Sequence, residues 1–171
     1  MSWGIATRLM IALLPVLAAV PCEVVAQVSP TASQSWLFGG LGFGTFGGQG
    51  ISGVAGLSHQ RGRHLFALRA TAVLGFASNE IDDSVADIGL LYGRASTGQG
   101  RVRHLSAVVG LSLVELSLRG ASIQHTIGVP VAAEASVDTS VVGVGLKGFA
   151  NLNPVHAYAG LVLVLKLGRL R

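Results

Sequence analysis

Three sets of side chains in this sequence have types and spacings suited to chemistry. His104 and Ser106 stand two apart, and Glu134 follows in a later segment. A hydroxyl beside an imidazole, with a carboxylate to orient the ring, is the arrangement of nucleophilic hydrolysis. In an extended chain, positions i and i+2 share a face roughly 6–7 Å apart, so His104 and Ser106 are within reach of one another. The second set is Arg69, Asp87, Glu134, Lys147 and Lys166, charges placed singly within apolar segments. Solvated, they would line a polar pore or proton path; paired, they would neutralise one another and fill the space between them. The third set is Asn79, Glu80, Asp82 and Asp83, an oxygen-rich run without the EF-hand pattern. It reads as a solvated loop, and no metal site or cofactor is expected.

Composition sets the surroundings of these groups. Half of the 171 residues are hydrophobic and 12% are charged, against about 25% charged in a soluble domain. Something other than water must cover much of the surface. The 24 glycines follow no collagen-like period and lie within alternating apolar segments, where narrow barrels and tight turns use them. The basic residues are scattered, with Arg101 and Arg103 the nearest to a cluster. No basic stripe with aromatic platforms is present, so no nucleic-acid partner is expected.

The first residues read as a secretory signal over 1–26. Arg8 precedes an apolar run from Leu9 to Val20, and Val24, Val25 and Ala26 end in a small residue before Gln27. Pro15 and Pro21 interrupt the run, which argues against a retained membrane helix. Pro21 before Cys22 fits a lipoprotein signal poorly. Cleavage after Ala26 takes 26 of the 171 residues and leaves 145, without a cysteine, which excludes disulfides and thiolate metal sites. A short extension over 27–35 then leads to a domain spanning 36–171.

Beyond the signal the apolar residues alternate with period two, and no helical period survives. The pattern predicts strands over 36–44, 51–60, 64–76, 85–94, 104–116, 124–137, 140–150 and 156–168, joined by short connections rich in turn formers. Consecutive hairpin-linked strands close most economically into an all-β, antiparallel up-and-down barrel of about eight strands, which leaves no edge.

Sidedness then indicates what the barrel sits in. One face of each strand is apolar: Phe66, Leu68 and Leu74 in the third, Leu105, Val109, Leu111 and Leu113 in the fifth, Leu161, Leu163, Leu165 and Leu167 in the last. The opposite face is mostly small residues, and all five charges placed mid-strand fall on it. On the apolar face, ionisable groups occur only near strand ends, at His59, His64, Arg94, Glu115, His125 and Arg169. The small-residue face is too poor in charge for a soluble surface and suits the interior of a narrow barrel with lipid outside. The alternative is a soluble periplasmic barrel with its apolar face inward, binding a small apolar ligand as lipocalins do.

From Trp36 to Arg171 the pattern resembles the small eight-stranded outer-membrane barrels of OmpA and OmpX architecture, and the segment Gly148-Phe149-Ala150-Asn151-Leu152-Asn153-Pro154 with Leu161–Arg171 is similar to bacterial envelope proteins of this size. The resemblance implies a monomer in the bacterial outer membrane, with a structural or envelope role and a lumen filled by its charges. Its partners would be outer-membrane lipid and, during insertion, the barrel-assembly machinery. It places Trp36, Phe38, Phe43, Phe66, Phe76, Tyr92, Phe149 and Tyr158 as candidates for aromatic girdles, and gives the 79–83 run divalent cations between lipopolysaccharide molecules to meet. Lipid A deacylases perform serine–histidine–acid hydrolysis on a comparable barrel, but Arg103 and Ala107 beside His104 and Ser106 do not complete their motif. Two features depart from the pattern: the chain ends Gly168-Arg169-Leu170-Arg171, without a terminal aromatic, and the girdles are thin.

Overall fold

The computed structural model describes the backbone of residues 33–77, 80–97, 104–118 and 122–170, and the side chains of all of these except 76, 77, 80–82 and 97. The alternation becomes eight strands in chain order: β1 Ser33–Phe46, β2 Gly48–Arg61, β3 His64–Ala77, β4 Glu80–Thr97, β5 His104–Ser117, β6 Gln124–Asp138, β7 Val142–Leu152 and β8 Tyr158–Arg169. Each pairs antiparallel with the next, and β1 pairs with β8 from Ser35↔Arg169 to Thr45↔Ala159, closing the barrel. Closure removes the unpaired backbone edge that an open sheet would expose.

Differences from the sequence reading lie at strand ends. β1 begins at Ser33, so the last three residues of the expected extension belong to the barrel. The first connection shrinks to Gly47, whose φ of 67° suits the reversal. β4 starts five residues early, drawing Glu80, Asp82 and Asp83 into the strand. β7 starts at Val142 because Thr139 closes the preceding turn: its Oγ1 accepts from the backbone N–H of Val142 at 3.0 Å. β8 starts at Tyr158, after Asn153 has accepted from the backbone N–H of Val155 and of His156, the local bonding that makes Asn a turn residue.

Pro130 lies in β6 with its ring in the interior. The β5–β6 pairing lapses between Val109↔Val131 and Ser112↔Gly128, opposite this proline, which has no N–H to donate. The register resumes unchanged beyond it.

The apolar sets face outward. Leu41, Phe43, Leu90, Leu111, Leu113 and Leu163 are each more than 60% exposed. The interior holds the opposite set, in which large side chains fit against glycines. A Cβ on Gly56 would come within 2.6 Å of the Phe38 ring, and one on Gly160 would meet Phe149. The small residues of this face thus give room to aromatic and charged neighbours.

Candidate functional site

All five mid-strand charges are buried inside the barrel, where they gather into two clusters. The first lies toward the end that carries Gly47 and Asn153. Arg69 of β3 reaches Asp87 of β4 at 3.1 Å. The same Asp87 oxygen, Oδ2, accepts from Asn151 Nδ2 at 2.7 Å and from the Tyr158 hydroxyl. Asn151 also donates to Ser112 at 2.8 Å. Three strands besides Asp87's own therefore converge on one carboxylate oxygen. The Arg69 guanidinium lies 5.6 Å from the centre of the Phe149 ring, so the cation meets π electrons as well as a carboxylate.

The second cluster lies toward the end with the chain termini. Glu134 of β6 holds Lys147 through Oε2 at 2.9 Å and Lys166 through Oε1 at 2.8 Å. Lys166 also reaches Asp138 at 3.0 Å and Ser136 at 2.6 Å. Two of the three ammonium N–H donors are thus hydrogen-bonded, to Ser136 and Asp138, while Glu134 Oε1 adds a close opposite charge. Lys147 caps the Phe38 ring at 3.5 Å, and Lys166 stands 5.2 Å from Trp36.

His104 joins this second cluster. Its sequence position at a strand start suggests the rim, but parity with Ser106 and Val108 turns it inward, and the structure buries it. Gln60 donates through Nε2 to the Gly62 carbonyl, which leaves Oε1 to face His104 Nε2 at 3.3 Å. The imidazole then donates from Nε2, and in its neutral form carries its lone pair on Nδ1. Nδ1 lies 4.0 Å from Glu134, and the ring packs edge-on to Trp36 at 5.4 Å. Among the described residues, no hydrogen bond joins His104 to Ser106. Ser106 instead lines a cavity of about 20 Å³ with Trp36, Ser58, Glu134 and Lys147, room for a single water.

Thus Arg69 and Asp87 are brought together, as are Glu134, Lys147 and Lys166, while His104 and Ser106 share an interior without forming a dyad. Asp138 and Asn151, read from sequence as turn residues, are members of the clusters. The signal was available: Asp138 keeps the parity of Glu134 and Ser136, and Asn151 that of Lys147 and Phe149. Four of the expected girdle aromatics, Trp36, Phe38, Phe149 and Tyr158, are interior, whereas Phe43, Phe66 and Tyr92 face out. Parity again decides, since Trp36 and Phe38 alternate with the outward Leu37. The Phe76 side chain, Asn79, and the side chains of Glu80 and Asp82 lie outside the described residues, as do residues 1–32. Among the described residues, no group of three metal-ligating side chains occurs.

No protein-family model matches the sequence, and no curated protein matches it significantly. Solved structures do match. Neisserial surface protein A (NspA) superposes with a TM-score of 0.59 over 79% of this chain and 96% of its own, at 18% identity. The chain has the fold of the small OmpA/OmpX-type barrels. A second match is Ail, the attachment invasion locus protein of Yersinia pestis, with a TM-score of 0.51 over 80% of this chain and 97% of that one, at 7% identity. At these identities the likeness is one of fold.

Proposed function

We propose that this chain is a monomeric bacterial outer-membrane barrel with a structural, envelope-maintaining role, its lumen plugged by its own charged and aromatic side chains. The observation that carries the reading is the inversion of the two faces. The exterior is a continuous apolar band and every mid-strand charge is inside. Burying apolar surface is favourable by about 25 cal/mol per Å², and exposed patches beyond a few hundred Å² mark an interface. A band encircling the barrel calls for lipid. Its height agrees: the outward apolar set runs from Leu105 to Leu113 on β5 and from Ala159 to Leu167 on β8, and a tilted strand crosses a bilayer in about 9–11 residues.

The plug rests on pairing. Each buried charge of the two clusters has an opposite charge within 3.1 Å, and lone buried charges are costly. Some interior polar atoms, Arg69 Nε and Thr71 Oγ1 among them, find no partner among the described residues, so the plug is one that admits single waters. A lipocalin-like carrier would need the apolar sets inward, and they face outward. A lipid-modifying hydrolase is not favoured by His104, whose ring nitrogens face Gln60 and Glu134 in the interior.

Fractionation of expressing cells tests the location, with boiled and unboiled samples compared by gel mobility. Recovery with the outer membrane and a heat-shifted band are expected; soluble periplasmic recovery without a shift would overturn the membrane reading. Planar-bilayer recording tests the plug separately, with no discrete conductance steps expected.

A further inference from the structure

The interior clusters account for the buried charges, but not for the cations on the outer face. Toward the end bearing the chain termini, β2 and β3 carry Arg61 and His64 at their ends and β4 carries Arg94 three residues before its end, all outward and exposed. The register makes them one row: Arg61 pairs with His64, and His64 with Arg94. Two guanidinium groups flanking an imidazole across three neighbouring strands attract an anion. None is supplied from within: among the described residues neither Arg61 nor Arg94 has an acidic partner, and the outward Glu115 lies at the opposite end.

The rows beneath indicate which anion. One step into the band, His59 pairs with Phe66 and Phe66 with Tyr92, the last two rings 5.0 Å apart. Tyr92 stands 2.7 Å from His64 Nδ1, tying this row to the basic one. A step deeper come Leu57, Leu68 and Leu90. The same three strands thus run from leucine through aromatic rings to guanidinium, the order of acyl chain, interface and phosphate in a bilayer leaflet. The row is also held in place, since the Arg63 carbonyl in the β2–β3 turn accepts from the Ala95 N–H at 3.0 Å. Arg61 and Arg94 are two strands apart, about 10 Å, which two arginine side chains can close around a single phosphate.

We infer that Arg61, His64 and Arg94 form an outward headgroup site for an anionic glycerophospholipid of the leaflet at the chain-termini end. The inference rests on the membrane reading and adds the leaflet chemistry to it. Guanidinium groups bind the phosphate oxygens, Tyr92 and Phe66 pack at the glycerol level, and the leucines meet the acyl chains.

The test uses the protein purified from membranes in a mild detergent, with phosphatidylglycerol, phosphatidylcholine or lipid A added and retention on the folded barrel read by native mass spectrometry. Wild type is expected to retain phosphatidylglycerol in preference to both other lipids. Arg61→Gln with Arg94→Gln should lower that retention about thirtyfold, given the attraction each arginine contributes near an anionic surface, whereas Glu115→Gln should leave it unchanged. Equal retention by the double variant, or equal retention of phosphatidylcholine, overturns the site. Stronger retention of lipid A assigns the row to the other leaflet and also overturns it. None of these outcomes bears on whether the barrel partitions with membranes, which the fractionation decides independently.

Discussion

The two interior clusters bury opposite charges by different arrangements. Around Asp87, one cation and two neutral donors converge on a single carboxylate oxygen, so the anion is a hub. Around Glu134 the charges form a chain: Lys147 to Glu134, Glu134 to Lys166, Lys166 to Asp138. Removing the hub leaves Arg69 without an acid. Removing one end of the chain leaves every other charge with a neighbour. Both clusters pair their charges, yet their tolerance to substitution should differ, because the cost of a buried charge depends on whether a second partner remains.

The largest effect is expected at the hub. Asp87→Ala strands the Arg69 guanidinium and should destabilise the barrel by about 3–5 kcal/mol, measured by urea unfolding of protein inserted in vesicles. Replacing both partners, Arg69→Leu with Asp87→Leu, should recover more than half of that loss, because apolar residues then stand where two charges were desolvated. A loss in the double variant as large as in Asp87→Ala would show that Asp87 acts through Asn151 and Tyr158 rather than through the ion pair.

The chain should grade its losses by position. Glu134→Ala removes the sole acid beside Lys147 among the described residues while Lys166 keeps Asp138, and should cost about 3 kcal/mol. Lys147→Met leaves Glu134 paired with Lys166 and keeps an apolar stem against Phe38, so about 1 kcal/mol is expected. Thermal gel-shift midpoints of the two variants give the order directly. Equal losses would mean that Lys166 does not compensate, and the second cluster would then behave as two independent pairs.

The barrel and its sidedness were legible because period two survives any local detail. Leu105, Val109, Leu111 and Leu113 need only one buried and one exposed face to declare themselves. Strand ends were less legible, since the ladder extends as far as backbone partners allow while composition shifts earlier. Turn-forming residue types marked Asp138 and Asn151 as connections, but inward parity carried them into the clusters. Four of the girdle candidates turned inward for a related reason: aromatic type alone suggests an interface, whereas Trp36 and Phe38 sit on the parity that points inward. The pairings themselves follow from register. Arg69 and Asp87 were placeable on neighbouring strands, but the convergence of Tyr158 from β8 depends on closure of the barrel, which no local spacing encodes.

The exposed pair of Glu115 and His125 supplies the opposite extreme to the Asp87 hub. These side chains face outward on β5 and β6 at 3.8 Å, with 56% and 73% of their surface accessible. An ion pair in contact with water or hydrated headgroups contributes little, so Glu115→Gln should change stability by less than about 0.5 kcal/mol, and what change there is should fade with added salt. Here the partner is an imidazole, charged only when protonated, in place of a guanidinium, and the surroundings are hydrated, so both differences lower the expected cost. A loss approaching that of Asp87→Ala would mean that lipid, not hydrated headgroup, surrounds Glu115. The apolar band would then reach higher on β5 than Leu113, and the aromatic row at the other end would be too low to mark its matching boundary.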